Sequence, residues 1–143
     1  MNDHIPKGKV AEYMFAAKCM DMGLLPCWPS HEGQPYDVLV DTQHGPQRVQ
    51  VKSSVKTGDV IHVPIQMKVG SIKRRYTKKD VDFIVLHLFG FDTWYVFPIE
   101  DIGRSVRLKP NSPDCKCDMY LDAWDLLKEP LVKKKRRTKG FAE

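Results

Sequence analysis

Residues 36–54, YDVLVDTQHGPQRVQVKSS, combine a carboxylate, an amide and an amine at spacings that could support metal-dependent hydrolysis. Asp37 is followed thirteen residues later by Gln50 and fifteen residues later by Lys52. Carboxylate and amide oxygens are hard ligands that suit Mg²⁺. The metal would polarise a scissile phosphate, and Lys52 would orient a water or stabilise developing negative charge. An exposed hairpin face explains the same three residues equally well, so the pattern alone is weak evidence for a metal site.

An alternation of valines predicts that this stretch is a β-hairpin with one apolar face. The valines are Val38, Val40, Val49 and Val51. A turn over residues 42–47 would place Asp37 opposite Lys52 and Leu39 opposite Gln50. Side chains in such positions have Cβ atoms about 5 Å apart, so the three polar groups would converge on the other face. A slip of one residue would break this arrangement.

A helix is predicted over residues 7–24, which lack proline and are rich in helix formers. Its apolar residues spread almost all the way round, so we expect most of its surface to be buried. Glu12 lies in a mostly apolar sector of this helix. An unpaired buried charge is costly, so Glu12 must extend to solvent, pair with Lys9 or Lys18, be protonated, or bind a cation.

The remaining patterns predict one α/β domain with a mostly antiparallel sheet. Residues 25–35, with three prolines and a glycine, are predicted to be a loop. Residues 58–67 alternate as in a half-buried strand, which Pro64 would place at an edge or bulge. Residues 81–103 predict two strands joined by GFDT, with core aromatic residues and a core histidine. Residues 119–129 predict a short helix.

A basic cluster interrupts the otherwise neutral body around Tyr76. Its members are Lys68, Lys73, Arg74, Arg75, Lys78 and Lys79. The cluster would be either a solvated loop or a surface that contacts phosphates, and its isolation within the body favours the DNA-binding interpretation.

The net charge of +5 belongs to the end of the chain. Residues 133–143 carry six basic residues against Glu143, whereas residues 1–132 carry equal numbers of basic and acidic residues. We therefore predict a single domain over residues 1–132. Residues 133–143 would be a basic tail that is disordered when free, either solvated or lying along phosphates.

The composition favours a globular, intracellular protein. No stretch approaches the roughly 18 apolar residues of a membrane helix, and the opening MNDHIPKGKV lacks the apolar core of a secretory signal. We therefore expect a cytoplasmic location and reduced cysteines. A zinc site from Cys27, His31, Cys115 and Cys117 is disfavoured by its spacing.

Four segments occur in an order that resembles the PD-(D/E)XK nuclease superfamily: GKVAEYMFAAKCMDMGLLPCWP, PYDVLVD, RVQVKSS and RRYTKKDVDFIVLHLFGFDTWYVFPIEDI. The chain is most similar to the small homing endonucleases of this class that group I introns encode. Archaeal-type Holliday junction resolvases share much of the layout. The resemblance covers roughly residues 7–103, and it implies a restriction-endonuclease-like core with a mixed, mostly antiparallel sheet flanked by helices.

The resemblance also implies roles for individual residues. Glu12, Asp37, Gln50 and Lys52 correspond to the catalytic positions. The metal ligands would be Asp37, Gln50, Glu12 and the backbone carbonyl of Val51. The expected cofactor is Mg²⁺, with Mn²⁺ able to substitute.

Two departures from the family pattern bear on function. Pro35 stands one residue early, with Tyr36 between it and Asp37. Gln50 replaces the usual acidic residue, a substitution known in the homing branch. A neutral amide removes one charge from the site, which leaves open a protein that binds DNA without cutting it.

We therefore expect a Mg²⁺-dependent endonuclease that cuts both strands of DNA at a specific site. One such site cuts one strand, so a homodimer or homotetramer is implied. Three alternatives stay open: a structure-specific enzyme of the Holliday junction resolvase type acting on branched DNA, a non-catalytic DNA-binding protein on the same fold, and an unrelated α/β interaction protein.

Overall fold

The structure, a computed structural model, describes residues 4–112 and 115–129. Two α-helices lie within these residues, α1 (Lys7–Asp21) and α2 (Trp124–Lys128), with 3₁₀-helices at Ile99–Asp101 and Lys116–Tyr120. The strands are β1 (Leu25–Cys27), β2 (Val38–Thr42), β3 (Gly45–Ser54), β4 (Ile61–Pro64), β5 (Gln66–Val69), β6 (Ile72–Arg75), β7 (Phe83–Leu88), β8 (Thr93–Pro98) and β9 (Ser105–Leu108). The predicted basic tail lies outside the described residues.

A five-stranded sheet with the order β1-β2-β3-β7-β8 forms the centre of the described fold. Strand β3 runs parallel to β7, and the other neighbouring strands of this sheet are antiparallel. Two small antiparallel sheets, β4 with β9 and β5 with β6, complete the strand pairing. Helix α1 packs on β1 to β3, and α2 packs on β8. The predicted fold class, a mixed and mostly antiparallel sheet flanked by helices, is confirmed.

Helix α1 begins after Pro6 and ends two residues before Gly23, which has a φ of +78°. A residue with positive φ cannot continue the helix, and glycine takes this conformation without strain. The expectation that most of the helix surface is buried was wrong. One face, formed by Ala11, Phe15, Ala16 and Cys19, is buried. On the other side Tyr13 and Met20 are 62% and 59% exposed.

The β2–β3 hairpin has a shorter turn than predicted. Val38 pairs with Val49 and Leu39 pairs with Arg48, so two residues form the turn, and Asp37 falls beside Gln50 rather than opposite Lys52. The register is displaced by two residues from the expected one. Since strand side chains alternate with a period of two, this displacement keeps the polar residues on their predicted face.

Three segments differ from the expected local structure. Residues 25–27, predicted to be loop, form edge strand β1, which tolerates Pro26 because an edge position needs no inner hydrogen bond from it. The alternating segment 61–67 divides at Ile65, so that β4 and β5 enter different small sheets. The predicted helix over residues 119–129 is a 3₁₀ turn followed by α2, separated at Asp122, which has a φ of +46°.

The two faces of strand β3 differ, with buried valines on one face and the half-buried Gln50 and Lys52 on the other. Val51 shares a face with Trp94, whose ring centroid lies 6.4 Å from that of Phe15 in α1. Burying a side chain such as Phe15 contributes about 1.5–3 kcal/mol. Gln50 and Lys52 alternate with Val51 and therefore project from the opposite face.

The strand pair β7–β8 forms the core that the sequence predicted. Trp94, Tyr95 and Phe97 are all buried, and His87 is 1% exposed with its Nε2 atom 3.4 Å from Asp92 Oδ1. His87 is therefore part of the core, away from the polar edge of the hairpin. Among the residues that the structure describes, neither helix has the length and apolar character that crossing a membrane requires.

Candidate active site

Asp37 is fixed at the start of the β2–β3 hairpin by its own backbone and side chain. Its N–H donates to the carbonyl of Val49 at 2.9 Å, and its Oδ2 atom accepts from the N–H of Val51 at 2.9 Å. These two bonds hold the carboxylate against the backbone of β3. Asp37 therefore lies next to the residues that the sequence singled out on β3.

The surroundings of Asp37 disfavour its negative charge. Burial raises the pKa of this carboxyl to about 6, and the nearby charge of Glu12 also raises it. The Val51 N–H and the charges of Lys52 and Lys9 act in the opposite direction and do not compensate. A cation at this position would relieve the repulsion between the two carboxylates.

Glu12 reaches the same place from α1. Its side chain is 14% exposed, and its Oε2 atom lies 3.4 Å from Lys9 Nζ, one of the pairings expected from the sequence. Glu12 and Asp37 line a cavity of about 370 Å³, whose other wall is the loop of residues 28–36. The structure thus brings together two carboxylates that are 25 residues apart in the chain, in a space open enough for an ion and its waters.

Gln50 and Val51 supply neutral oxygens close to Asp37. The Gln50 Nε2 atom donates weakly to the carbonyl of Val51 at 3.4 Å. Rotation of this amide by half a turn exchanges its nitrogen for its oxygen, so Gln50 can present an acceptor beside the Val51 carbonyl.

Lys52 is half-buried and lies between Asp37 and Tyr76. Burial lowers the pKa of Lys52, and the charge of Asp37 partly restores it. The Nζ atom lies 5.2 Å from the centroid of the Tyr76 ring, within the range of a cation–π interaction. Tyr76 is 5% exposed, and burial raises its pKa to about 12. Tyr76 stands at the centre of the basic cluster in the sequence, and no role was predicted for it there.

The residues present fit a small hard cation. Within the described residues, no group of three or more histidine, cysteine, aspartate or glutamate side chains forms a metal site, and the four cysteines are free thiols. A site of two carboxylates, one amide oxygen and one backbone carbonyl suits Mg²⁺, which takes few protein ligands and keeps several waters.

The basic cluster is largely a β-hairpin, β5–β6, rather than the loop considered as its alternative. We call residues 66–75 the basic hairpin. Lys68 lies directly opposite Lys73, and Arg75 lies opposite Gln66 on the same face. Like charges in opposed positions repel each other, so this exposed face favours an anionic partner.

Two of the six predicted DNA-binding residues form ion pairs. Arg74 pairs with Asp80 through two bonds of 2.9 Å, and Lys78 pairs with Asp82 at 3.0 Å and with Glu100 at 3.5 Å. The ion pairs of the described residues include none of the other four, Lys68, Lys73, Arg75 and Lys79. The basic face available to a ligand is therefore smaller than the sequence suggested.

Arg48 anchors the segment after the basic hairpin to β3. Its Nη1 and Nη2 atoms donate to the carbonyls of Lys79 and Lys78 at 2.7 and 2.6 Å, and its Nε atom donates to Asp82 Oδ2 at 3.2 Å. The backbone N–H of Arg48 donates to the carboxylate of Asp82, and the backbone N–H of Asp82 donates to the carbonyl of Arg48. These two bonds complete the contact. The basic hairpin is consequently tied to the strand that carries Gln50 and Lys52.

Fold and site together define a class of protein: a restriction-endonuclease-like nuclease domain, in which a carboxylate and a lysine meet on neighbouring strands. Residues 2–125 match the family model described as PD-(D/E)XK endonuclease, and the chain belongs to this family. Family membership implies a nuclease, and such nucleases generally use divalent metal ions.

Two solved structures resemble the chain to different degrees. The bacterial homing endonuclease I-Ssp6803I is 25% identical, with a TM-score of 0.72, over 90% of this chain and 95% of its own. The Holliday junction resolvase Hjc of Archaeoglobus fulgidus is 12% identical, with a TM-score of 0.46, over 73% of this chain and 84% of its own, a likeness too weak to bear on function. No curated protein matches the chain. The predicted resemblance to PD-(D/E)XK nucleases is confirmed.

Proposed function

We propose that the protein is a Mg²⁺-dependent DNA endonuclease of the homing type, which cuts both strands at a specific site and accepts Mn²⁺ in place of Mg²⁺. The observation that carries the proposal is that Glu12 and Asp37 line one cavity, with Lys52 close to Asp37. Similarity to a solved homing endonuclease over nearly the whole of both chains supports the homing type.

In this proposal Asp37, Glu12, Gln50 and the carbonyl of Val51 hold the metal. When bound, the ion would polarise the scissile phosphate and lower the pKa of a water. Asp37 is fixed for this task by the N–H of Val51. Lys52, held over the Tyr76 ring, would orient the attacking water or stabilise charge that develops on the phosphate.

DNA would be bound by the basic hairpin. A two-stranded β-ribbon fits the major groove, and Lys68, Lys73 and Arg75 share one exposed face of this ribbon. Because a single site cuts one strand, we further propose that two or four copies assemble so that both strands are cut.

The central test incubates the purified protein with Mg²⁺ and either a library of randomised linear duplexes or synthetic four-way junctions. The proposal expects double-strand cleavage of a subset of the duplexes that share a sequence. Cleavage confined to junctions would instead support a resolvase. A protein that retards DNA in gels and never nicks it with Mg²⁺ or Mn²⁺ would be a non-catalytic DNA-binding protein.

The basic hairpin is tested by replacing Lys68, Lys73 and Arg75 together with glutamine. Removing one cationic group from a DNA phosphate should reduce the slope of log affinity against log salt by about 0.9. We expect the slope to fall by up to about 3, measured by fluorescence anisotropy at several salt concentrations. Replacement of three exposed lysines elsewhere, Lys109, Lys116 and Lys128, makes the same change in net charge and should leave the slope nearly unchanged.

A further inference from the structure

Two aromatic side chains are exposed next to each other beside the candidate active site. Tyr13 is 62% exposed and Trp28 is 46% exposed, and their ring centroids are 5.7 Å apart at an angle of 41°. All other tyrosine, tryptophan and phenylalanine side chains within the described residues are buried or half-buried. Leaving two large apolar rings in water forgoes stabilisation that burial would give, which indicates a binding site.

The aromatic pair lies beside the cavity that Glu12 and Asp37 line. Trp28 lines the same cavity as Glu12 and Asp37, and Tyr13 follows Glu12 in α1. Lys9 and His31 also line this cavity and supply hydrogen-bond donors at its wall. A phosphate held at the two carboxylates through a metal would therefore have its neighbouring nucleoside close to the aromatic pair.

We propose that Tyr13 and Trp28 form a stacking site for a nucleobase that has left the helical stack next to the scissile phosphate. This inference rests on the proposed endonuclease function. In a DNA duplex both faces of each base are covered by neighbouring bases, so only an unstacked base can lie on these rings. Stacking of one base on an aromatic side chain is strong and tolerant of sequence.

The competing occupant is a second copy of the chain, which would cover α1. The continuity of the pair with the cavity favours the nucleobase, since an interface between copies would extend along the exposed side of α1. Met20 lies on that side, two turns from Tyr13, and is 59% exposed without lining the cavity. Met20 is therefore the matched control for an apolar interface.

The test compares a fluorescein-labelled oligothymidylate with an oligomer of the same length built from abasic sites, using the full-length protein with Ca²⁺ in place of Mg²⁺. Trp28→Ala should weaken binding of the oligothymidylate roughly 5- to 150-fold, because it removes one stacking contact. Trp28→Phe should retain affinity within a few-fold, and Tyr13→Ala should show a smaller loss. The abasic oligomer should bind the wild type and Trp28→Ala equally.

Three results would overturn the inference: an equal loss of affinity for the abasic oligomer, an equal loss with Met20→Ala, or a changed molar mass of Trp28→Ala in light scattering. The first would place Trp28 on the sugar–phosphate backbone, and the other two would place a second copy on α1. Duplex cleavage by the wild type is measured separately. If the wild type binds the oligothymidylate through Trp28 but cuts no duplex, the stacking site stands and the proposed endonuclease function fails.

Discussion

Asp37 is a half-buried carboxylate and Asp80 a buried one, yet their surroundings have opposite effects on their charge. Asp80 accepts from both terminal nitrogens of Arg74 at 2.9 Å, from the N–H of Thr77 at 2.9 Å and from its hydroxyl at 3.2 Å. The bonds from Arg74 are the main reason that the pKa of Asp80 falls to about 2. Asp37 accepts a bond from a neutral backbone N–H, faces Glu12, and has a pKa raised to about 6 by burial.

The difference separates a structural carboxylate from one prepared for a ligand. Asp80 is satisfied by the chain itself and fastens the base of the basic hairpin. Asp37 carries a charge that the folded chain does not compensate, so it weakens the fold and favours a cation. Functional sites commonly reduce stability in this way.

The largest effect expected from this comparison comes from Asp37→Asn. Loss of the charge should reduce Mg²⁺-dependent cleavage by at least about 100-fold, in line with the loss of one charge-stabilising group from an active site. The same change should raise the melting temperature of the metal-free protein at pH 7.5, because it removes repulsion with Glu12. Cleavage is measured on duplex DNA and melting by calorimetry.

The matched control for Asp37→Asn is Asp41→Asn, an exposed carboxylate on β2, the strand that follows Asp37. This variant should keep cleavage and stability near those of the wild type. If Asp37→Asn lowered the melting temperature instead, Asp37 would be a structural residue like Asp80. The proposed difference between the two carboxylates would then be wrong.

The second prediction concerns Asp80→Asn, which should destabilise the protein by roughly 1–3 kcal/mol, the range for removing hydrogen bonds to a charged group. Urea unfolding followed by circular dichroism measures this change. Asp59→Asn, at an exposed position, should have little effect. A stability unchanged within error in Asp80→Asn would show that the basic hairpin does not need this contact.

The third prediction uses pH to separate the two carboxylates. Asp37 has a raised pKa when folded, so between about pH 4 and 6 the folded protein holds a proton that the unfolded chain releases, and stability falls as pH rises through this window. Asp80 has a lowered pKa, so its contribution is present above about pH 4 and is lost as pH falls toward 2.

Stability measured against pH for the metal-free wild type and Asp37→Asn tests this expectation. The free energy of unfolding of Asp37→Asn minus that of the wild type should grow by about 1–2 kcal/mol from pH 4 to 6 and level off above about pH 7. Parallel curves would contradict the raised pKa. Metal affinity should decline below about pH 6, because protons compete for Asp37.

The smallest effect is expected at Tyr76. This residue is close enough to Asp37 and to Asp80 for the charges of both carboxylates to act on it. Under the proposed function, Tyr76 would position Lys52 through the contact of its ring with the ammonium group. Tyr76→Leu removes the ring under the ammonium group and should lower kcat roughly 2- to 30-fold, given a cation–π energy of about 0.5–2 kcal/mol. KM for DNA should change little, and Tyr76→Phe should restore kcat. Equal losses in both variants would assign the effect to the hydroxyl or to packing.

Local patterns in the sequence predicted much of the fold, because helix α1, the hairpin alternation and the β7–β8 pair each depend on neighbouring residues. The hairpin register was wrong by two residues, since the turn length depends on Gly45, whose φ of +99° a sequence does not display. The polar face was still correct because side chains alternate with a period of two. The apolar sector of the predicted helix singled out Glu12, and the resemblance to a family implied its catalytic role.

Contacts between distant segments were not predictable from the sequence. Tyr76 meets Lys52 only after the basic hairpin folds back onto β3, and the ion pair of Arg74 with Asp80 removes an arginine from the expected DNA surface. The exposure of Tyr13 was missed as well, because an apolar helix pattern does not show which side a neighbour covers.

The parallel pairing of β3 with β7 has a consequence for the synthesis of the protein. All four candidate catalytic residues have left the ribosome once residue 52 is made and extruded. Two of them, Gln50 and Lys52, lie on β3, and the inner neighbour of β3 is β7, which starts at Phe83 opposite Val49. Until that segment emerges, β3 lacks its inner neighbour and is an edge strand. A truncated chain ending before β7 would thus carry every residue of the catalytic set without the framework that aligns them. Under the proposed function, an unfinished copy of the chain would therefore not cut DNA.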